Sequence, residues 1–600
     1  MECFALLDDA GAADPCNARS RLYSGHAGTL SCSGIADWPR MLDELAAASV
    51  RGLHAVTVFT YELGGQLLGI AAHPSTMAPA QVLLFTQCAH LAPGEVASWL
   101  AAQCAGDATP AGIADVRANI DQDEFTHALA RIRALIAAGD TYQVNYTYRL
   151  RFDAFGSIFA LYQRLRARQP VPYGALIALP GGEAVLSLSP ELFVRHMQGE
   201  LLARPMKGTA PASDDDAVNA QRATALAADP KNRAENLMIV DLLRNDLGRV
   251  ARTGSVEVPK LFDVQRYSSV LQMTSTVRAR LREGATLREI FAALYPCGSI
   301  TGAPKRRTME IIHELESAAR GVYTGAIGWF DPPTAPGVLG DFCLSVPIRT
   351  LSLQAPADGV RKGEMGVGAG IVFDSDAADE YAECQLKARF LTGLANEFEI
   401  FETMHASRAG IRHRGRHLAR LAASARYFGF AFADPAAQLD AACAALGEGV
   451  HRMRLVLRAS GVFTIESAPI AELAQPVRVF VSSEPTSASE VFLRHKTSIR
   501  TRYDAAWRAA EARGGFDTLF FNERGELTEG GRSNVFVRVD GQWITPALSC
   551  GVLPGVMRAV LLDDPGLAAR EGVVTRAMVA RASAIMVCNA LRGAMAAVLA

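Results

Sequence analysis

Gly368-Ala369-Gly370-Ile371-Val372-Phe373-Asp374-Ser375-Asp376-Ala377-Ala378-Asp379-Glu380-Tyr381-Ala382-Glu383-Cys384-Gln385-Leu386-Lys387 is the stretch that says most about this chain. Its glycines read as a turn where backbone N–H groups can approach an anion closely. The residues after Ser375 read as a helix over about 376–394. On that helix, positions 380, 383 and 387 fall within about 60° of arc at roughly 100° per residue. Two carboxylates and an ammonium therefore share one face.

Outward from there, four further segments carry the same character. They are Ser189-Pro190-Glu191, Pro205-Met206-Lys207-Gly208-Thr209, Ala234-Glu235-Asn236 and Gly298-Ser299-Ile300-Thr301-Gly302-Ala303-Pro304-Lys305. Glu235, on a helix of its own, adds a third carboxylate. Oxygen-only ligands of this kind suit Mg²⁺, which keeps several waters and also binds substrate oxyanions. Taken singly, each segment has an ordinary explanation: a salt-bridged helix face, a glycine turn, a surface lysine. Lysine usage makes the combination harder to dismiss. Of 60 Lys+Arg only seven are lysine, at 207, 231, 260, 305, 362, 387 and 496. Arginine is never a nucleophile at neutral pH, whereas a desolvated lysine can be. Two of the seven sit in Gly/Pro-punctuated segments and a third on the carboxylate face.

Six hundred residues imply three to five domains at roughly 100–200 residues each. Half the chain is hydrophobic and 20% charged, which fits a globular protein and excludes disorder. A net charge of −2 argues against nucleic-acid and anionic-membrane binding. The 11 cysteines include no C-x-x-C pair, so reduced thiols in a cytoplasmic protein are expected. The opening MECFALLDDAGAADP lacks the pattern of a signal peptide. The apolar stretch 582–600 contains Asn589 and Arg592, so it reads as a buried element and not a membrane span.

Three regions follow. Residues 1–115 read as mixed α/β with no chemistry-bearing cluster. Residues 116–395 hold a helix near 123–138, β-rich stretches through Val144 and 175–186, helices over 216–250, strands from 323 to 372 and the final helix. Residues 396–600 form a second unit with no linker before it. The expected fold is α+β and α/β multidomain, a β-sandwich with helices followed by a second α/β unit.

SPELF, PMKGT, AENLMIVDLLRNDLGRV, CGSITGAPK, YTGAIG, IRT, GAGIVFDSD and EYAECQLKA, in that order, resemble the chorismate-utilising enzymes, whose fold is that of anthranilate synthase component I. PMKGT is similar to the P-I-K-G-T signature of the aminodeoxychorismate synthase component I branch; anthranilate synthases carry alanine at the lysine position. The resemblance implies that Lys207 attacks C2 of chorismate and expels the 4-hydroxyl, that Glu191 is the general acid/base there, and that ammonia then adds at C4. It implies Mg²⁺ on Glu235 and Glu383 with Glu380 assisting. Thr301, Tyr323, Arg349, Lys387 and the amides of Gly368, Ala369 and Gly370 would clamp the two substrate carboxylates. Two departures stand out: Asn232 where many relatives carry an acid, and Gln272 where many have histidine. No G-x-C-x-G nucleophile occurs with a downstream His/Glu pair, so ammonia would come from a separate glutamine amidotransferase subunit or from free ammonium.

In residues 397–600 the single lysine is Lys496, in HKTSIR. Downstream lie LTEGGRSNV, with Glu529, and GVLPGVMR, a tight turn entering a helix whose free N–H groups could cradle phosphate. Arg420 sits upstream on a helix. Lysine, acid and phosphate cradle together are what pyridoxal 5'-phosphate requires. FEIFETM, HLARLAASARYFGF, HKTSIR, LTEGGRSNVF, GVLPGVMR and CNALRG resemble the class IV (fold-type IV) pyridoxal-phosphate enzymes, a D-amino acid aminotransferase-like fold, with the closest likeness to the aminodeoxychorismate lyases. This implies Lys496 as Schiff-base lysine and proton shuttle and Glu529 as partner of the pyridine nitrogen. Arg420, Val556, Met557 and Asn589 would hold the phosphate, and a homodimer through this domain is compatible with the class. The strand and D-R-G-x-x-Y-G-D-G turn that usually precede F-E-T are absent, the chain entering almost directly at Phe398.

The two halves together imply synthesis of 4-aminobenzoate, a folate precursor, from chorismate. Three rival readings stay open: anthranilate synthase chemistry in the first half, amino-acid transamination in the second, or a second half that only docks the amidotransferase.

Overall fold

The computed structural model describes residues 2–11, 20–106, 109–267, 270–335 and 338–600. By contacts the chain divides into two units. The first comprises 1–111, 117–355 and 362–394; the second comprises 112–116, 356–361 and 395–600.

The first unit is built on one long antiparallel ladder with two arms. Strand Phe4–Asp8 pairs with both Ser20–Cys32 and Tyr173–Ala178, so the N-terminal strand joins the arms. One arm runs on through Ala80–Leu91, His54–Phe59, Ala326–Phe330, Phe342–Ser345, Leu192–Met197 and Glu200–Arg204 to Val270–Arg280, which also pairs with Met206–Pro211. The other runs through Ala184–Ser189, Thr350–Leu353 and Arg361–Ile371 to Gln143–Phe155 and the short Gly302–Ala303. Alternation of large apolar residues buries a core that includes Tyr23, Val56, Leu83, Phe85, Ile177 and Ile327.

Helices follow the pattern read from sequence. Gln122–Ala137 starts at a capping box, Asp121 accepting from Glu124 N and Glu124 from Asp121 N, and buries Phe125, Leu129, Ile132 and Leu135. The 216–250 region is two helices, Asp216–Ala228 and Pro230–Gly248. Asp229-Pro230 separates them, because proline is tolerated in a first turn and not in a helix interior. The last helix of the unit is Ala377–Thr392, N-capped by Asp376.

The second unit holds two sheets. The smaller is antiparallel, in the order Gly410–Ile411, Ile400–Ser407, His451–Leu457, Phe463–Pro469. The larger has eight strands, in the order 527–530, 517–521, 477–481, 593–599, 584–589, 534–539, 542–546, 570–572. The apolar 582–600 stretch is thus a hairpin of two sheet strands. Among the described residues no helix is long and apolar enough to cross a membrane, and the cysteines are free thiols.

Candidate active sites

The first site forms where the two arms of the ladder meet. Pro190 and Glu191 are the crossover between strands Ala184–Ser189 and Leu192–Met197, which belong to different arms. Glu191 is buried, and its Oε1 accepts a 2.6 Å hydrogen bond from Ser299 Oγ. Burial pushes its pKa up to about 7, against the pull of the Ser299 hydroxyl and the Lys207 charge. Such a carboxyl holds a proton near neutrality and can deliver it.

Lys207 lies in strand Met206–Pro211 at a register shift against Val270–Arg280, between the pairs Met206↔Thr274 and Thr209↔Gln272. This bulge re-aims the lysine. The next residue, Gly208, has φ +93°, and a Cβ there would stand 3.0 Å from Asn232 Oδ1, so the K-G dipeptide is a geometric requirement. The half-buried Lys207 places its Nζ only 2.9 Å from where a Cβ on Gly370 would be. Burial lowers its pKa below the ordinary lysine value; Glu235 opposes this, Lys387 adds to it, and Glu191 and Glu383 oppose it. Lys207 therefore lies within electrostatic reach of Glu191, Glu235, Glu383 and Lys387.

Gly368, Ala369 and Gly370 lie in the strand Arg361–Ile371 and not in the turn expected from sequence. The reason for glycine is close packing: a Cβ on Gly368 would meet Tyr146 O at 2.4 Å, and one on Gly370 would meet Gln143 Nε2 at 2.6 Å. The Gly368 carbonyl accepts from Lys387 Nζ at 3.0 Å. Thr301 is fully buried, and Tyr323 is buried with its ring where a Cβ on Gly366 would stand. Arg349 holds the left-handed φ of +53°, a backbone strain the surrounding fold must offset. Burial lowers its guanidinium to about 10.

The three candidate metal ligands do not stand alone. Among the described residues no three acidic, His or Cys side chains stand close enough to hold an ion. The lysines interleave with the acids: Lys387 Nζ is 2.7 Å from Glu383 Oε1, and Lys231 and Lys207 also act on Glu383. Burial would raise Glu383, but these ammoniums hold it below its ordinary value. Glu380 is raised by burial while accepting from Ser375 Oγ at 2.7 Å, with Glu383 raising it further. The donors suit Mg²⁺ chemically; Glu383 would have to exchange Lys387 for the ion.

Some residues escaped the sequence reading. Gln143 is fully buried with both side-chain polar atoms unpartnered, beside Lys207 and Gly370. Nothing in its spacing signals this; only folding leaves an orphan amide there. The first 115 residues are not chemically silent either. Glu62 accepts from the N–H groups of Arg320 and Gly321, and Arg320 ties Glu316, Ile300 O and Asn145 O together behind Thr301. Asn232 is held by Asp229, and Gln272 faces Thr209 in the ladder.

The second site is a cavity of roughly 520 Å³ within the second unit, lined among others by Lys496, Arg420, Glu529, Val556, Met557 and Asn589. Its size suits a small-molecule coenzyme and substrate. Lys496 Nζ lies 4.8 Å from the centre of the Phe401 ring. Burial, aided by Arg500 and Arg420 and opposed by Glu402 and Glu529, lowers its pKa to about 7. Glu529 is buried, its Oε2 accepting from Leu553 N at 3.1 Å and Asn534 Nδ2 at 3.0 Å. Burial pushes it to about 7, so it gains from any cation brought to it. Gly555 lets Asn534 in, since a Cβ there would stand 1.8 Å from Asn534 Oδ1. Helix Val556–Leu562 begins at Gly555 with no side-chain cap on its first amides.

Two phosphate candidates are committed elsewhere. Arg420 grips Glu402 through Nε (2.8 Å) and Nη2 (2.6 Å), and its Nη1 donates to Pro554 O at 3.1 Å. Asn589 donates to Arg532 O and accepts from Arg592 N. Both line the cavity, and these bonds use three of the five N–H donors of Arg420 and one of the two of Asn589.

With this geometry in view, the family comparisons are specific. The profile described as chorismate binding enzyme matches residues 40–393, and that described as amino-transferase class IV matches 399–599. Aminodeoxychorismate synthase component 1 of Klebsiella aerogenes is 42% identical over 289 residues, 48% of this chain and 61% of that protein. Anthranilate synthase component 1 1 of Haloarcula marismortui is 42% identical over 276 residues, 46% of this chain and 54% of that protein. The chain thus spans little more than half the length of these curated relatives. The crystal structure of anthranilate synthase component I from Streptococcus pneumoniae TIGR4 matches with a TM-score of 0.53 and 26% identity, covering 62% of this chain and 91% of that one. With one profile running through more than half of its length, the chain belongs to the chorismate binding enzymes, and an amino-transferase class IV domain follows in the same polypeptide.

Proposed function

We propose that the first half converts chorismate and ammonia to 4-amino-4-deoxychorismate, and that the second half releases pyruvate from this product to leave 4-aminobenzoate. The observation that carries the reading is Lys207, a half-buried amine held against Gly370 among Glu191, Glu235 and Glu383. Its nitrogen bonds to C2 as the ring double bonds shift and the C4 hydroxyl leaves, protonated to water by Glu191. Ammonia then bonds to C4, the C2–nitrogen bond breaks, and Lys207 is regenerated; the net exchange is hydroxyl for amine. Arg349, Thr301, Tyr323, Lys387 and the 368–370 backbone orient the two carboxylates. Mg²⁺ on Glu235 and Glu383, with Glu380 assisting, would neutralise the diacid. A separate glutamine amidotransferase supplies ammonia.

In the second half Lys496 is the amine that holds pyridoxal phosphate, and its Nζ takes the C4 proton. The coenzyme supplies an electron sink for this step. Glu529 keeps the pyridine nitrogen protonated, and Arg420, Asn589 and the amides of Val556 and Met557 hold the phosphate.

Incubation of the purified chain with chorismate, ammonium, Mg²⁺ and pyridoxal phosphate tests the whole reading. The expected products are 4-aminobenzoate and pyruvate. Anthranilate as sole product would assign the first half to the activity named for the Haloarcula relative, and keto acid from amino acids without pyruvate release would make the second half a transaminase.

Two effects separate the halves. Chelation by EDTA should silence chorismate amination, with full recovery on adding Mg²⁺, while pyruvate release from supplied aminodeoxychorismate continues. Gly370→Ala inserts a Cβ 2.6 Å from Gln143 Nε2 and 2.9 Å from Lys207 Nζ. Displacing the amine by about 1 Å should lower amination on the order of 10²-fold with coenzyme binding unchanged; amination at the parental rate would show that Lys207 is not held where the reaction needs it.

A further inference from the structure

The second cavity holds more positive charge than its proposed coenzyme uses. Arg420 is paired with Glu402, Arg500 with Asp504 at 2.7 Å, and Arg532 donates to Phe516 O and lies 3.6 Å from Glu511. Arg452 and Arg454 also line the cavity; neither makes an ion pair within 4 Å among the described residues, although the exposed Glu466 stands across the ladder from Arg454. They stand two apart on strand His451–Leu457, so they point to one face. Arg454 pairs in the ladder with Thr403, another cavity residue.

The Arg454 guanidinium lies 4.3 Å from the centre of the Phe401 ring, the same ring that lies 4.8 Å from Lys496 Nζ. Guanidinium and amine are thus at most about 9 Å apart, the reach of a six-membered ring with its substituents. Arg454 is half-buried and Arg452 is exposed, one deeper and one shallower on the same wall. A guanidinium with no carboxylate within ion-pair distance, lining a cavity, can receive a carboxylate through both arms of its fork. Two in a row suit a dianion better than a monoanion. Both belong to the four-stranded sheet, whereas the helix expected to hold the coenzyme phosphate begins at Val556 beside the eight-stranded one.

We propose that Arg452 and Arg454 form the carboxylate-binding wall of this cavity and select a substrate with two carboxylates over one with a single carboxylate. The proposal deepens the reading of the second half given above, and its test does not need the coenzyme. Trp507 lines the same cavity and reports on it. The full chain is titrated with isophthalate, benzoate and inorganic phosphate, following tryptophan fluorescence, with Trp507→Phe to assign the signal. Isophthalate should bind at least about tenfold tighter than benzoate. Arg452→Gln and Arg454→Gln should each weaken isophthalate about tenfold, and the double variant should erase the preference while thermal unfolding stays at the parental temperature. Equal binding of the two acids, or isophthalate binding unchanged in Arg454→Gln, overturns the proposal. So does a loss confined to phosphate, which would make the pair a phosphate subsite. A variant that unfolds early is replaced by Arg→Lys at the same position, which keeps the charge but not the fork and should recover less than half of the preference. Separate titration with pyridoxal phosphate, read by absorbance, tells failure of the coenzyme reading from failure of this one.

Discussion

Lys207→Ala should remove ammonium-dependent formation of 4-amino-4-deoxychorismate, with a fall of at least about 10³-fold, because the amine proposed to bond to C2 is gone. Lys387 is tied to Glu383 and the Gly368 carbonyl, and Lys305 to Asp246 and the Leu294 carbonyl. The variant should still bind added pyridoxal phosphate and release pyruvate from supplied aminodeoxychorismate. Product formation by the alanine variant at the parental rate would exclude covalent catalysis by this lysine. The pH profile carries a second signature. Glu191, raised by burial to about 7, must be protonated to release water, so turnover should fall as pH rises through about 7. Lys207, lowered by burial, must be neutral, so turnover should fall again on the acid side. Glu191→Gln should remove the alkaline limb along with most of the rate; an alkaline limb that persists would assign it to another group.

Lys496→Ala gives the second large effect. The chain should lose the visible absorption of covalently held pyridoxal phosphate, and borohydride should no longer fix the coenzyme to the 496 peptide on mass analysis. Pyruvate release should fall by at least about 10³-fold, since the same Nζ holds the coenzyme and takes the proton. Its pKa near 7, set by burial with Arg500 and Arg420, leaves a large share of neutral amine at physiological pH. Chorismate amination should be unchanged. An unaltered absorption band in the variant would place the coenzyme on another amine and end the assignment.

Motif residues were legible because each is demanded by local geometry. Gly208 takes a positive φ at a bulge, and Asp229-Pro230 divides two helices. Positions 380, 383 and 387 do lie on one helix, Ala377–Thr392. The glycines 368 and 370 were legible as glycines but misread as a turn. Short G-x-G runs look alike whether they bend the chain or let another backbone and Lys207 approach a strand. A helical wheel likewise places carboxylates 380 and 383 but not the lysines from other elements that act on them.

By itself the chain's order of residues determined which amines are scarce enough to matter, which helices start where, and that two units follow one another, since propensity, capping and periodicity act over a few residues. Tertiary structure alone decided the rest. It buried Glu191 beside Ser299, left the Gln143 side chain without a partner next to Lys207, clamped Arg420 on Glu402, and set Arg452 and Arg454 along the second cavity. Desolvation and pairing depend on atoms contributed by strands and helices far apart in the sequence, and only the folding of each unit brings them together.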